Sequence, residues 1–168
     1  MENKKNLVVF YSWGENTKAV AEYIAKKTDA DIVELKVKDE YPMDYQECIR
    51  RVRSEGRTYE AELRNEMPDL TNYQTIFVGS PCWWGTIASA MRTFLKENEF
   101  KGKTVAPFMT HGTSGLCIQE LKSLCSGADI TEGLSIFNEY QVSTTKNDVK
   151  NMGNYEVQTD KWLKRIGC

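Results

Sequence analysis

Three short stretches of this 168-residue chain combine residue types that are costly to place without a purpose. In the first, Ser12-Trp13-Gly14-Glu15-Asn16-Thr17, hydroxyls, an amide and a glycine crowd the start of an amphipathic run. The free N–H groups at such a helix start carry roughly half an elementary charge, so a phosphate can bind there without a lysine. Ser12 or Asn16 could equally be an ordinary helix cap, and composition leaves both roles open. The second stretch, Ser80-Pro81-Cys82-Trp83-Trp84-Gly85-Thr86, sets two tryptophans beside a glycine outside any amphipathic pattern. Exposed indoles are expensive, so one of the pair is expected to plug the core and the other to offer a platform for a flat heteroaromatic ring. In the third, Thr110-His111-Gly112-Thr113-Ser114-Gly115, two glycines allow backbone N–H groups to approach a ligand closely. His111, the only histidine, is either structural or part of that site. Cys82 reads as a small buried residue or as a redox-active thiol.

These stretches must be held by the elements around them. Asn6–Tyr11 is a continuous apolar run, as expected for a strand covered on both faces. Thr17, Val20, Ala21, Ile24 and Ala25 then fall on one face of a helix over Asn16–Thr28. Asp31–Lys36 reads as a second strand, Thr75–Gly79 as a third stopped by Ser80-Pro81, and Thr104–Met109 as a fourth. A fifth lies within Ile130–Phe137. Helical stripes follow: Ile87, Met91, Phe94 and Leu95; Cys117, Leu121, Leu124 and Cys125; and a last helix with Tyr155, Trp162 and Ile166. Between strands two and three, Tyr45, Cys48, Ile49 and Val52 mark a helix that breaks at Glu55-Gly56-Arg57 and continues as an irregular, exposed extension to Leu70. Such alternation implies an α/β domain over residues 1–168, with a parallel sheet and helices on both faces. Ligands of such sheets sit outside the carboxyl ends of the strands, where the three loops lie.

Composition removes several function classes. A net charge of −2 does not fit a nucleic-acid surface. No apolar run approaches the ~18 residues of a membrane span, and the short apolar run after Met1-Glu2-Asn3-Lys4-Lys5 is no signal-peptide core, so the protein is read as cytoplasmic. Five scattered cysteines without C-x-x-C, and one histidine, make a metal centre unexpected; the thiols are read as reduced and any cofactor as organic. There is no Cys-x5-Arg phosphatase loop and no G-x-G-x-x-G. Gly102-Lys103-Thr104 has Glu97 where a P-loop needs glycine. Ser12-Trp13-Gly14 and Ser80-Pro81-Cys82 stand where a phosphoacceptor receiver domain needs acids.

Gly79-Ser80-Pro81-Cys82-Trp83-Trp84-Gly85-Thr86, Pro107-Phe108-Met109-Thr110-His111-Gly112 and Tyr41-Pro42 resemble the flavodoxin family, in particular short bacterial members with a Pro-x-Trp-Trp-Gly loop. The resemblance runs from Leu7 to about Ile136, with an echo in Trp162-Leu163. It implies a three-layer sandwich around a five-stranded sheet of order 2-1-3-4-5, and FMN as cofactor. The implied cofactor-binding residues are Ser12, Trp13, Gly14, Glu15, Asn16 and Thr17 in the first loop, with Ser12, Asn16 and Thr17 on the phosphate. Pro81, Cys82, Trp83, Trp84 and Gly85 follow from the second loop, Trp84 flanking the ring and the Gly85 peptide able to turn toward flavin N5. Thr110, His111, Gly112, Thr113 and Gly115 follow from the third, on the pyrimidine edge. No catalytic residue and no metal ligand is assigned.

Two departures from the family pattern carry consequences. Glu15 stands where glycine is usual; a carboxylate ~5 Å from a phosphate would cost on the order of 3 kcal/mol at an effective dielectric near 20, so weakened FMN affinity is expected. No acid occurs in Ser80–Ser89 or Met109–Leu116, so reduced anionic flavin should form at a less negative potential than in acid-lined relatives. The resulting expectation is an electron carrier serving redox partner proteins, as a monomer or weak dimer. The alternatives are an FMN-dependent quinone or nitro-compound reductase, with the Asp39–Leu70 segment shaping a substrate pocket, and a binding module that has lost FMN.

Overall fold

The computed structural model describes residues 5–112, 117–138 and 149–168, apart from the side chains of Ile118 and Lys150. The apolar run predicted as the first strand is β1 (Lys5–Phe10), and its interior location explains the lack of polar alternation: Leu7, Val8 and Val9 are inaccessible on both faces. It pairs in parallel with β2 (Asp31–Glu34) on one side and β3 (Tyr73–Trp83) on the other. β5 (Thr104–His111) continues the sheet beyond β3. The edge is shared by two short strands, β6 (Asp129–Ile130) and β7 (Leu134–Phe137), which pair with the first and second halves of β5. The order β2-β1-β3-β5-β6 is the expected 2-1-3-4-5 arrangement, with the fifth strand divided in two.

The extra label, β4 (Thr86–Ile87), folds back antiparallel on the end of β3. Here the sequence reading requires correction, because Pro81 does not stop the third strand. Gly79 turns its carbonyl toward β1, accepting from Tyr11 N–H at 3.0 Å, so by alternation Pro81 faces that side as well. The β1 ladder has already ended at Phe10 with Gly79, and proline's missing donor costs no ladder bond there. β3 therefore continues beside β5 as far as Pro81 with Thr110, and into the hairpin. Ile87, expected to begin the next helix, pairs with Cys82 instead.

Helices cover both faces. α1 (Asn16–Thr28) and α5 (Tyr155–Arg165) bury Val20, Ala21, Ile24 and Trp162 against Val8, Phe10, Phe77 and Phe108. α3 (Ser89–Glu97) and α4 (Ile118–Leu124) bury Met91, Phe94 and Leu121 against Leu7, Val9, Ile76 and Val78 on the other face. α2 (Tyr45–Glu55) starts at Asp44, whose carboxylate caps the Glu47 N–H at 2.9 Å, and stops at Gly56, with φ 81°.

The extension after α2 is less free than expected. Val37 bridges Leu63, Asn65 brackets the end of β2 by accepting from Lys36 N–H and donating to the Glu34 carbonyl, and Thr93 Oγ1 of α3 donates to the Ala61 carbonyl. These bonds also end β2 at Glu34 rather than Lys36. Among the described residues no helix is long and apolar enough to cross a membrane.

Candidate functional site

At the carboxyl ends of β1, β3 and β5 the three loops enclose a cleft of about 220 Å³. Ser12, Trp13, Gly14, Asn16 and Thr17 line it from the first loop. From the second come Pro81, Cys82, Trp83 and Trp84, and from the third Thr110, His111 and Gly112. Two expected residues, Glu15 and Gly85, are not part of the lining. Thr113, Ser114 and Gly115 lie outside the described residues.

The first loop leaves α1 without a side-chain cap from its N-cap residue. Glu15 occupies that position with its carboxylate in solvent, while its carbonyl accepts from Ala19 N–H at 2.9 Å. Ser12 works inward: its Oγ donates to the Gly14 carbonyl at 2.6 Å and accepts from Lys18 N–H at 3.3 Å. Thr17 is fixed by a buried 2.8 Å hydroxyl pair with Thr110, which ties the first loop to the third. Trp13 leans outward onto Tyr45 and donates its indole N–H to the Pro42 carbonyl at 2.9 Å.

The second loop is a two-residue hairpin. Cys82 pairs with Ile87 and Trp83 with Thr86, leaving Trp84-Gly85 at the tip with φ values of 52° and 73°. Positive φ at both central positions is the pattern of a type I′ turn. Glycine meets it at no cost, but a tryptophan there is strained by about 1–2 kcal/mol. Arg57, just beyond α2, holds the tip by donating to the Trp84 and Gly85 carbonyls, each at 3.2 Å. The Arg53 guanidinium lies 5.6 Å from the Trp84 ring centre.

The two indoles divide as expected. Trp83 packs edge-on against Tyr11 and Tyr41, at 5.7 and 5.2 Å between ring centres. Trp84 is 43% exposed at the mouth of the cleft.

Arg92, a residue the helical stripe of α3 gave no reason to single out, organises the base of this hairpin. It is only 4% exposed. Its guanidinium meets Glu120 Oε1 at 2.8 Å, Thr86 Oγ1 at 2.7 Å and the carbonyls of Ile87 and Tyr59. Burial alone would raise the Glu120 carboxyl, but hydrogen bonds from Thr86, Arg92 and the Ile87 N–H outweigh it and hold the group below its ordinary value. Tyr45, Cys48 and Ile49 of α2 line the cleft from within the Asp39–Leu70 segment that the reductase alternative gave to a pocket, and Asn138 after β7 lines it without having been singled out.

In the third loop, His111 sits at the end of β5, 5.7 Å from the Phe137 ring. Its Nδ1 is buried and has no hydrogen-bond partner among the described residues. Burial lowers its pKa, so the ring is neutral near pH 7. No acidic side chain lines the cleft among the described residues, and no cluster of metal-ligating side chains occurs among them.

The reading of all five cysteines as reduced thiols also needs correction. Cys82 and Cys117 form a disulfide, with 6.6 Å between their Cα atoms. They lie 35 residues apart in sequence, so no spacing motif announced them; the hairpin and the start of α4 bring them together. Cys48, Cys125 and Cys168 are free thiols.

A family model described as Flavodoxin matches residues 5–155. Among solved structures, a chain from Bacteroides uniformis assigned as a flavoprotein superposes with a TM-score of 0.77 at 24% identity, covering 95% of this chain and 97% of that one. A flavoprotein in complex with FMN from Lactobacillus acidophilus superposes with a TM-score of 0.64 at 25% identity, over 79% of this chain and 92% of that one. Oxidised flavodoxin 1 from Bacillus cereus gives 0.51 at 18% identity, over 94% and 97% of the two chains. The first and third of these likenesses show the fold alone. No curated protein matches the chain.

Proposed function

Because the chain belongs to the flavodoxin family, we propose that its cleft binds FMN and that the protein carries electrons between redox partner proteins. One observation carries this reading: a helix start that receives no side-chain cap from its N-cap residue Glu15, and a buried histidine nitrogen with no hydrogen-bond partner among the described residues, border the same tryptophan-walled cleft. A phosphate suits the first group, and a polar ring edge suits the second. Bound FMN would supply the one-electron chemistry that the side chains themselves lack.

The chain's own residues then have distinct tasks. The α1 N-terminus receives the phosphate, and Ser12 holds its loop in shape through Gly14 and Lys18. Trp84 would lie against one face of a bound ring, and His111 would offer Nδ1 to its edge. Arg57 holds both carbonyls of the tip, so the Trp84-Gly85 peptide is restrained unless that clamp opens. With no acid in the lining and Arg53 and Arg57 beside Trp84, added negative charge on the ring meets little opposition, which favours a less negative potential. The exposed edge of Trp84 gives a partner protein access to the mouth of the cleft.

The reductase reading draws on Tyr45 and Ile49, which wall the cleft from α2 and leave an apolar surface for a small substrate. Adding FMN to apoprotein while following flavin fluorescence, then reducing the complex stepwise without oxygen, tests both readings. Quenching on binding followed by two one-electron stages is the expected result. Rapid two-electron bleaching by NADPH with quinone turnover would favour the reductase. Absence of binding would overturn the FMN assignment.

A further inference from the structure

We infer that the Cys82–Cys117 disulfide is a second redox centre of the cleft, exchanging two electrons with the flavin; this rests on the FMN reading above. The bridge joins the second loop to the helix after the third: Cys82 is in the hairpin strand and Cys117 is the residue on which α4 begins. Its two sulfurs are unequal. Cys82 lines the cleft between Pro81 and Trp83, whereas Cys117 is 1% exposed and packed into the core. One cysteine thus borders the cleft and the other is shielded from solvent, an arrangement that a bridge serving only as a staple does not require.

A titratable group lies on the same side of the sheet as the pair. His111 is one residue beyond the last β3–β5 ladder pair, Pro81 with Thr110, just as Cys82 is. Met109 faces the half of the core that contains Cys117, and Thr110 faces α1. Strand alternation therefore turns His111 toward the Cys117 side. The other buried thiols are poor participants: burial pushes Cys48 up to about 11 and Cys125 up to about 12.

The exchange balances as follows. Reduced FMN loses two electrons and its N5 proton; the S–S bond breaks; two S–H bonds form, the second proton arriving from solvent by way of His111. The reverse direction returns the electrons to FMN and restores the bridge.

The test uses the FMN-loaded protein and counts thiols by maleimide alkylation under denaturing conditions, read by mass spectrometry. The oxidised protein should take three labels, on Cys48, Cys125 and Cys168. After photoreduction without added thiol it should take five, and full reduction should consume four electrons per chain rather than two. Apoprotein illuminated in the same way should stay at three. The Cys117→Ala variant, changed in the core outside the cleft lining, should bind FMN and consume two. A flavin-loaded wild-type protein that stays at three labels and two electrons overturns the exchange and leaves FMN binding intact. Five labels in the oxidised protein overturn the bridge itself, and absence of a flavin spectrum overturns the FMN reading together with this one.

Discussion

Replacing Arg92 with alanine should be among the most destabilising single changes at the site, although Arg92 does not line the cleft. Its side chain is 5% exposed and joins α3 to Glu120 of α4, to Thr86 and Ile87 of the hairpin, and to the Tyr59 carbonyl of the extension. Removing one partner of a buried ion pair costs about 3–5 kcal/mol, because the remaining charge is left without compensation. The Glu120 side chain is 26% exposed, so water recovers part of that loss and the lower end, about 3 kcal/mol, applies. For a domain of this size, each kcal/mol lowers the melting temperature by roughly 2–4 °C, which gives about 6–12 °C. Circular-dichroism melts of apoprotein at pH 7 measure this directly. The Arg92→Met/Glu120→Gln double variant should recover part of the loss, since it leaves no unpaired charge. A loss below about 1 kcal/mol for Arg92→Ala would refute the view that this arginine supports the hairpin.

The two tryptophans should separate in the same assays. Trp83→Ala, which removes packing against Tyr11 and Tyr41, should cost about 2–3 kcal/mol, below the usual range for a fully buried aromatic because Trp83 is only half-buried. Trp84→Gly relieves a strained φ and should leave the melting temperature unchanged or slightly raised, while FMN titration shows affinity falling about tenfold from lost stacking. Glu15→Gly should shift the FMN dissociation constant by less than about fivefold, since an exposed charge contributes under ~1 kcal/mol; a hundredfold gain would restore the larger penalty expected from sequence. His111 provides a pH test. Burial lowers its folded pKa below the ordinary 6.5, so the unfolded chain takes up a proton first as pH falls. The stability in question is complete above pH 6.5 and declines as pH drops through the folded value. Urea melts at pH 7.5 and 5.5 should therefore show a smaller pH-dependent loss in His111→Asn than in the parent, and equal losses would refute the assignment.

Much of this protein is legible in one dimension because the signals are local. The β1 run and the face of α1 each declare themselves within a dozen residues, and five strand–helix alternations restrict the sheet to one family of topologies. The three loops were legible as well, since their residue types are costly anywhere except at a ligand cleft. Other features depend on which segments meet across the sheet, which no local pattern encodes. Pro81 continues its strand because β1 has already ended beside it. The α2 extension is pinned by bonds reaching back to β2 and across to α3.

The clearest division lies in the three loops themselves. The sequence determined that Ser12–Thr17, Ser80–Thr86 and the stretch after Met109 belong to one site, because residue type and strand order alone place them together. Only the tertiary structure decided what each side chain does there. Glu15 turns to solvent, Trp83 packs half-buried against Tyr11 and Tyr41 while Trp84 stays at the mouth, and Cys82 finds a partner 35 residues away. Those outcomes follow from backbone dihedrals and packing between distant segments, and these are fixed only when the hairpin, α3 and α4 close on one another.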